Sequence, residues 1–224
     1  MIPWLQVDTA RVPGADVELR LMRRGADFSM MLGQNELMSS RLSGSEEALA
    51  TLTCRRIEAV KRPHLLIGGL GMGFTLRAAL AVLESEARIT VAELVPAVID
   101  WARGPMAELF GGSLDDPRAS VRSADVIEVI QSHASAFDAI LLDVDNGPEG
   151  LIRKANDALY DAKGLKAIRR ALRPGGVLAV WSSGPNPLFS KRLRAAGFEV
   201  NEMAVRATAK RSGARHVIWF ATKL

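Results

Sequence analysis

Cysteine occurs once in this 224-residue chain, at Cys54, and tyrosine once, at Tyr160. A single cysteine cannot close an internal disulfide, which excludes a cross-linked secreted scaffold and fits a reducing compartment. The three histidines, His64, His133 and His216, are scattered and have no cysteine at ligand spacing, so no metal site is expected. No window approaches the roughly 20 unbroken apolar residues of a membrane span. The first residues, Met1-Ile2-Pro3-Trp4-Leu5-Gln6-Val7-Asp8, lack the basic and apolar regions of a signal peptide, so a cytoplasmic location with no membrane partner is expected. Aromatic residues are only 5% of the chain. The stretch from Arg206 to His216 gathers Lys210, Arg211 and Arg215 without interleaved aromatics to stack bases. The net charge of +4 therefore reads as a solvated basic surface, and nucleic acid is not expected as a partner.

What is present is an ordinary globular composition, 48% hydrophobic and 24% charged, long enough for one full core with a small appendage. Residues 1–43 read as a small β-rich unit. Val17–Met22 alternates, Arg24–Asp27 turns, Phe28–Leu32 returns, and Glu36–Ser39 adds a short strand. The apolar Phe28, Met30 and Leu32 offer a contact for a homodimer. Ser45, followed by Glu46 and Glu47, starts a helix whose Leu49, Leu52, Ile57 and Val60 share one face up to Pro63. Residues 44–224 then alternate strands (64–68, 88–93, 119–123, 138–143, 176–181, 198–205, 216–222) with helices (74–84, 96–110, 125–133, 157–172, 187–196). The last two strands are joined only by the Lys210–Gly213 turn and must be antiparallel. The pattern predicts an α/β Rossmann-like doubly wound sheet of the class I methyltransferase kind, mostly parallel with an antiparallel terminal strand.

Chemistry concentrates where strands end. Leu65-Leu66-Ile67-Gly68-Gly69-Leu70-Gly71-Met72-Gly73-Phe74-Thr75 runs from a strand through a glycine-rich turn into a helix. Glycines let the backbone turn tightly and approach a ligand, and free N–H groups at a helix start favour oxygen-rich groups. Phe74 stands where a dinucleotide fingerprint needs its last glycine, so an adenosyl cofactor without pyrophosphate, such as S-adenosylmethionine, fits better than NAD. Gly69, Gly71, Met72 and Gly73 are the expected contacts. Glu93 closes the next strand twenty residues after Gly73, at the spacing of a ribose-binding carboxylate, with Leu94 beside it. Asp125 follows the third strand, placed to accept from an adenine amino group with Val126 or Ile127 lining the ring; it is equally an N-cap. The strand Ala139–Leu142 ends in the acidic loop Asp143-Val144-Asp145-Asn146-Gly147-Pro148. First and fourth strands flank the switch point of such a sheet, which sets Asp143 beside the glycine loop. A carboxylate there can orient an amine nucleophile and take its proton. Asp143 and Asp145 are the catalytic candidates; Trp101, Tyr160 and Trp181 are core residues or pocket walls.

With these segments in order, the chain resembles the spermidine synthase family of polyamine aminopropyltransferases. Ile67–Arg77 looks like the family's I-G-G-G-D-G-G-T-L-R, and Val91-Ala92-Glu93-Leu94 like its V-E-I-D. Asp115-Asp116-Pro117-Arg118 matches its D-D-P-R, and Ile140–Pro148 looks like I-V-D-S-S-D-P-x-G-P. The resemblance implies decarboxylated S-adenosylmethionine as donor and a small-molecule amine as acceptor. It also implies a homodimer paired through the N-terminal unit. The departures fall on the family's catalytic positions. Its loop aspartate, which binds the donor's ammonium, is Met72 here. Its Y-H-E segment is replaced near Gly44-Ser45-Glu46-Glu47, and its second loop aspartate falls on Asn146, or on Asp145 if one position is gapped. Glu46, Glu47 and Asn146 are the substrate-binding candidates the resemblance implies. Intact S-adenosylmethionine with methyl transfer to a small molecule is the alternative. A silent relative that only binds an adenosyl ligand is the second.

Overall fold

The computed structural model describes residues 2–15, 17–143, 158–207 and 213–224. Its first sheet is an antiparallel meander, β1 (Leu5–Arg11), β2 (Glu18–Arg24), β3 (Asp27–Leu32) and β4 (Asn35–Ser39), paired in chain order. Strand β1 has no counterpart in the sequence pattern: every residue but Ala10 is exposed, so no buried face imposes alternation. Strands β2 and β3 bury Leu19, Leu21, Phe28, Met30 and Leu32 inside the chain's own core. The side chains that suggested a dimer contact are therefore spent within one chain.

Helix α1 (Gly44–Arg56) leads to β5 (His64–Gly68), α2 (Phe74–Val82), β6 (Arg88–Glu93), α3 (Pro96–Arg103), α4 (Ala107–Phe110) and β7 (Ala119–Ser123). Then come α5 (Val126–Gln131), β8 (Phe137–Leu142), α6 (Ala162–Ala171), β9 (Leu172–Ser182), α7 (Pro187–Ala195), β10 (Phe198–Arg206) and β11 (Arg215–Lys223). The seven strands lie in the order β10-β11-β9-β8-β5-β6-β7. Pairing is parallel except along β11, which runs antiparallel to both β9 and β10. This is the expected doubly wound sheet, with its chain-terminal strand reversed.

The central strands are buried on both faces, which is why they read as unbroken apolar runs. One face packs Leu65, Ile67, Leu141 and Ala179 against α1, α2, α3 and the N-terminal sheet in one continuous cluster. The other packs Leu66, Ile140, Leu178 and Val180 against α5, α6 and α7. Element boundaries depart from the sequence reading in several places. The single helix expected over 96–110 is two, because Gly104-Pro105 interrupts it: proline has no N–H to donate and its ring clashes with the preceding turn. Helix α1 stops at Arg56, leaving Val60 37% exposed beyond it. Its N-cap is Ser43 rather than Ser45, which is buried in the first turn. Strand β9 begins at Leu172, but its register with β8 is irregular between the Phe137–Leu172 and Ala139–Val177 pairs. Pro174 and Gly175, with φ +75°, occupy that irregular stretch.

Candidate active site

Gly68 pairs with both Ala92 and Leu142, so Gly69, Glu93 and Asp143 stand together one residue beyond that level. The glycine loop then turns through three left-handed residues, Gly69 (φ +89°), Gly71 (φ +51°) and Gly73 (φ +76°). A Cβ at Gly71 would meet Met38 Cε at 2.7 Å, and one at Gly73 would meet Phe110 Cε1 at 2.4 Å. The loop is therefore held close between β4 and α4, with no room for side chains.

Glu93 is 7% exposed, and each of its oxygens accepts a backbone hydrogen bond. Its Oε2 accepts from the Leu70 N–H at 2.8 Å and its Oε1 from the Val95 N–H at 2.9 Å. Burial pushes its carboxyl up, while these backbone donors oppose the shift. The residue expected to bind ribose thus also braces the glycine loop. Asp125 caps α5 by accepting from Ile127 N–H at 2.8 Å, and with Val126 it faces the same cavity as Gly69, Gly71, Glu93 and Leu94. That cavity measures about 150 Å³, and its opposite wall is Leu19, Met30, Leu32, Leu37 and Met38 of the N-terminal sheet with Val12 just beyond β1. These wall residues escaped the sequence reading, because alternation marks them as core and cannot say which core.

A narrower cavity of about 20 Å³ shares Met38, Gly69, Gly71 and Asp143 with the first and adds Glu46, Thr75 and Met72. Asp143 accepts a long contact from Thr75 Oγ1, 3.5 Å. Burial and the negative charge of Glu46 push its carboxyl up to about 8. Burial likewise raises Glu46. Neither carboxylate forms an ion pair among the described residues. Behind Glu46 lies a short relay: Ser45 Oγ donates to Glu46 Oε2 at 2.7 Å, and His216 Nδ1 lies 2.9 Å from Ser45 Oγ. The hydroxyl has one proton, which goes to the carboxylate, so His216 donates from Nδ1 and its Nε2 is left unprotonated. Desolvation lowers the pKa of His216, in keeping with that neutral ring.

The site gathers most, though not all, of the residues the sequence singled out. Met72 lies at the site, but its side chain is packed in the core at 1% exposure. Glu47 is exposed, accepts from Ser43 Oγ at 2.8 Å, and lines a separate cleft of about 610 Å³ with Arg77 and Phe110. A third cleft, about 810 Å³, lies over α6 and α7. Neither is walled by Gly69, Gly71, Glu93 or Asp143. Asp145 and Asn146 lie outside the described residues. Trp101 is a core residue whose Nε1 donates to Asp8 Oδ2 at 2.7 Å, pinning β1 to α3. Tyr160 is buried in the other core, edge-on to Phe189. Trp181 packs edge-on against His216, ring centroids 4.7 Å apart, and its Nε1 is buried without an acceptor among the described residues. His216 itself was missed: no sequence spacing relates it to Ser45, 171 residues away.

The mostly parallel seven-stranded sheet, with the glycine loop and strand-end carboxylates gathered at its switch point, is a methyltransferase-like α/β fold. Within that class the chain belongs to the spermine/spermidine synthase domain family, whose model matches residues 46–193. Polyamine aminopropyltransferase 1 of Streptomyces coelicolor is 35% identical over 131 residues, 57% of this chain and 24% of that protein. Polyamine aminopropyltransferase of Mycobacterium tuberculosis is 29% identical over 171 residues, 75% of this chain and 31% of that one. The chain thus spans only about a quarter to a third of these relatives' length. A solved spermidine synthase in complex with the transition-state analogue AdoDATO superimposes with a TM-score of 0.74 at 20% identity. The match covers 98% of this chain and 72% of that one. Thermotoga maritima spermidine synthase gives 0.73 at 19%, with the same coverage. At these identities the structural matches establish the fold.

Proposed function

We propose that this chain transfers an aminopropyl group from decarboxylated S-adenosylmethionine to a small-molecule amine. The observation that carries the reading is Asp143: a half-buried carboxylate at the switch point, beside the glycine loop, faced by Glu46 and unpaired among the described residues. A site built that way suits a cation. Gly69, Gly71 and Gly73 would cradle the sulfonium chain, Glu93 the ribose, and Asp125 with Val126 the adenine. The tight approach of Met38 and Phe110 to this loop excludes side chains there, so the loop's course beside the cavity depends on glycine.

In the reaction the acceptor nitrogen attacks the propyl carbon bonded to sulfonium sulfur. The C–S bond breaks with its electron pair going to sulfur, neutral 5′-methylthioadenosine leaves, and the new ammonium sheds a proton to Asp143. Most of the acceleration comes from positioning and exclusion of water. The Streptomyces and Mycobacterium relatives carry the same activity in their names, which supports the reading without extending it to this shorter chain.

Incubation with the decarboxylated donor and a panel of diamines should yield equimolar aminopropylated amine and 5′-methylthioadenosine. Methyl transfer from intact S-adenosylmethionine, with no product from the decarboxylated donor, would replace this reading. Binding of an adenosyl ligand without turnover of any amine would indicate a silent relative.

A further inference from the structure

We infer that Glu46 is the residue that selects the donor: its carboxylate, set on α1 across the narrow cavity from the glycine loop, receives the terminal ammonium of the aminopropyl chain. The inference deepens the proposed function and rests on it. It starts from the shape of the cavity. At about 20 Å³ the space between Glu46, Thr75 and Asp143 holds one group the size of a water molecule, and an ammonium is such a group. The glycine loop on the same wall carries no charge, and Met72, pointing into the core, leaves it apolar. Helix α1 therefore supplies a carboxylate that the loop lacks.

The relay behind Glu46 gives this carboxylate a defined position. Ser45 Oγ donates to Oε2 and is itself fixed by His216 from β11, while the ring of His216 is packed against Trp181. One oxygen of Glu46 is thereby tied back, and the other has no partner among the described residues. Opposite it, Asp143 lines the far side of the same cavity. Intact S-adenosylmethionine ends in a carboxylate as well as an ammonium. Seating that end would bring a second negative group up to Glu46 in a cavity with room for one small group. The decarboxylated donor carries only the ammonium. Discrimination between the two donors thus follows from like-charge exclusion as much as from attraction.

The test is a calorimetric titration of wild type and Glu46→Gln with three ligands: the decarboxylated donor, intact S-adenosylmethionine and 5′-methylthioadenosine. The last lacks the aminopropyl group and reports whether the adenosyl pocket is folded. We expect the wild type to prefer the decarboxylated donor by tenfold or more. Glu46→Gln should lose about ten- to a hundredfold for that ligand, the worth of one charge-assisted hydrogen bond. Affinity for 5′-methylthioadenosine should stay within about twofold, and affinity for intact S-adenosylmethionine should be equal or higher. A variant that keeps the wild-type preference overturns the role of Glu46 and leaves the proposed function standing. A wild type with no preference overturns both. If Glu46→Gln loses 5′-methylthioadenosine too, the selective role is overturned in favour of a structural one. Ser45→Ala and Ser45→Thr then separate positioning from packing: the alanine variant should lose part of the preference, and threonine, which keeps the hydroxyl, should restore it.

Discussion

Asp143 shows how far a single residue's chemistry is set by its neighbours. The sequence places a carboxylate at a strand end; the fold surrounds it with apolar strands and turns Glu46 toward it, and its carboxyl rises to about 8. To accept a proton it must be ionised. The efficiency of the proposed transfer should therefore climb with pH through the region near 8 and level off above it. Asp143→Asn should cut turnover by about 10²- to 10⁴-fold and abolish that rise, while 5′-methylthioadenosine still binds. A pH–rate profile on both proteins checks this, and an unchanged rise in the variant would assign the titration elsewhere. Cys54 is the contrasting case. Burial pushes its thiol up to about 12, so the lone cysteine is a packed apolar group and no nucleophile. Asp143 was legible because it closes an apolar strand. The role of Ser45 was not: it reads as a helix cap, and only the arrival of His216 makes it part of a relay.

At the scale of elements, the glycine loop sets the geometry, and its glycines are not equivalent. At Gly73 an added Cβ would strike the Phe110 ring at 2.4 Å, whereas at Gly71 it would press the flexible end of Met38 at 2.7 Å. Both positions carry positive φ, so alanine is strained at each. Gly73→Ala should destabilise by about 1–3 kcal/mol, the usual cost of overpacking. Gly71→Ala should cost less, because Met38 can move; the larger effect there should be weakened binding of adenosyl ligands. Urea midpoints and ligand titrations on the two variants separate these outcomes, and a larger stability loss at Gly71 would contradict them. Elements with a buried face were readable from periodicity. The break at Gly104-Pro105 was not read, because the apolar pattern continues across it. Strand β1 could not be read, since an exposed edge strand places no demand on alternation.

Across the whole molecule, the site is a compromise between folding and function. The folded state keeps a proton on Asp143 that the unfolded chain, with a carboxyl near 3.8, releases. A carboxyl raised by folding contributes its stability fully below about pH 4, and that contribution is lost as pH rises towards 8. Relative to Asp143→Asn, the wild type should lose up to about 1.4 kcal/mol per pH unit between pH 5 and 7. Urea unfolding at several pH values measures the difference directly; a flat difference would mean that the folded site does not perturb Asp143.

The linear sequence by itself determined the doubly wound sheet, the glycine turn and the carboxylates at strand ends, because periodicity, glycine conformational freedom and strand-end position are local properties. It also carried the motifs that mark the family. Tertiary structure decided the rest. It laid the N-terminal sheet over the adenosyl cavity, turned Glu46 inward and Glu47 outward on successive positions of one helix, and brought His216 to Ser45 across 171 residues. Each of these depends on which surfaces meet, and long-range packing fixes that where no spacing along the chain records it.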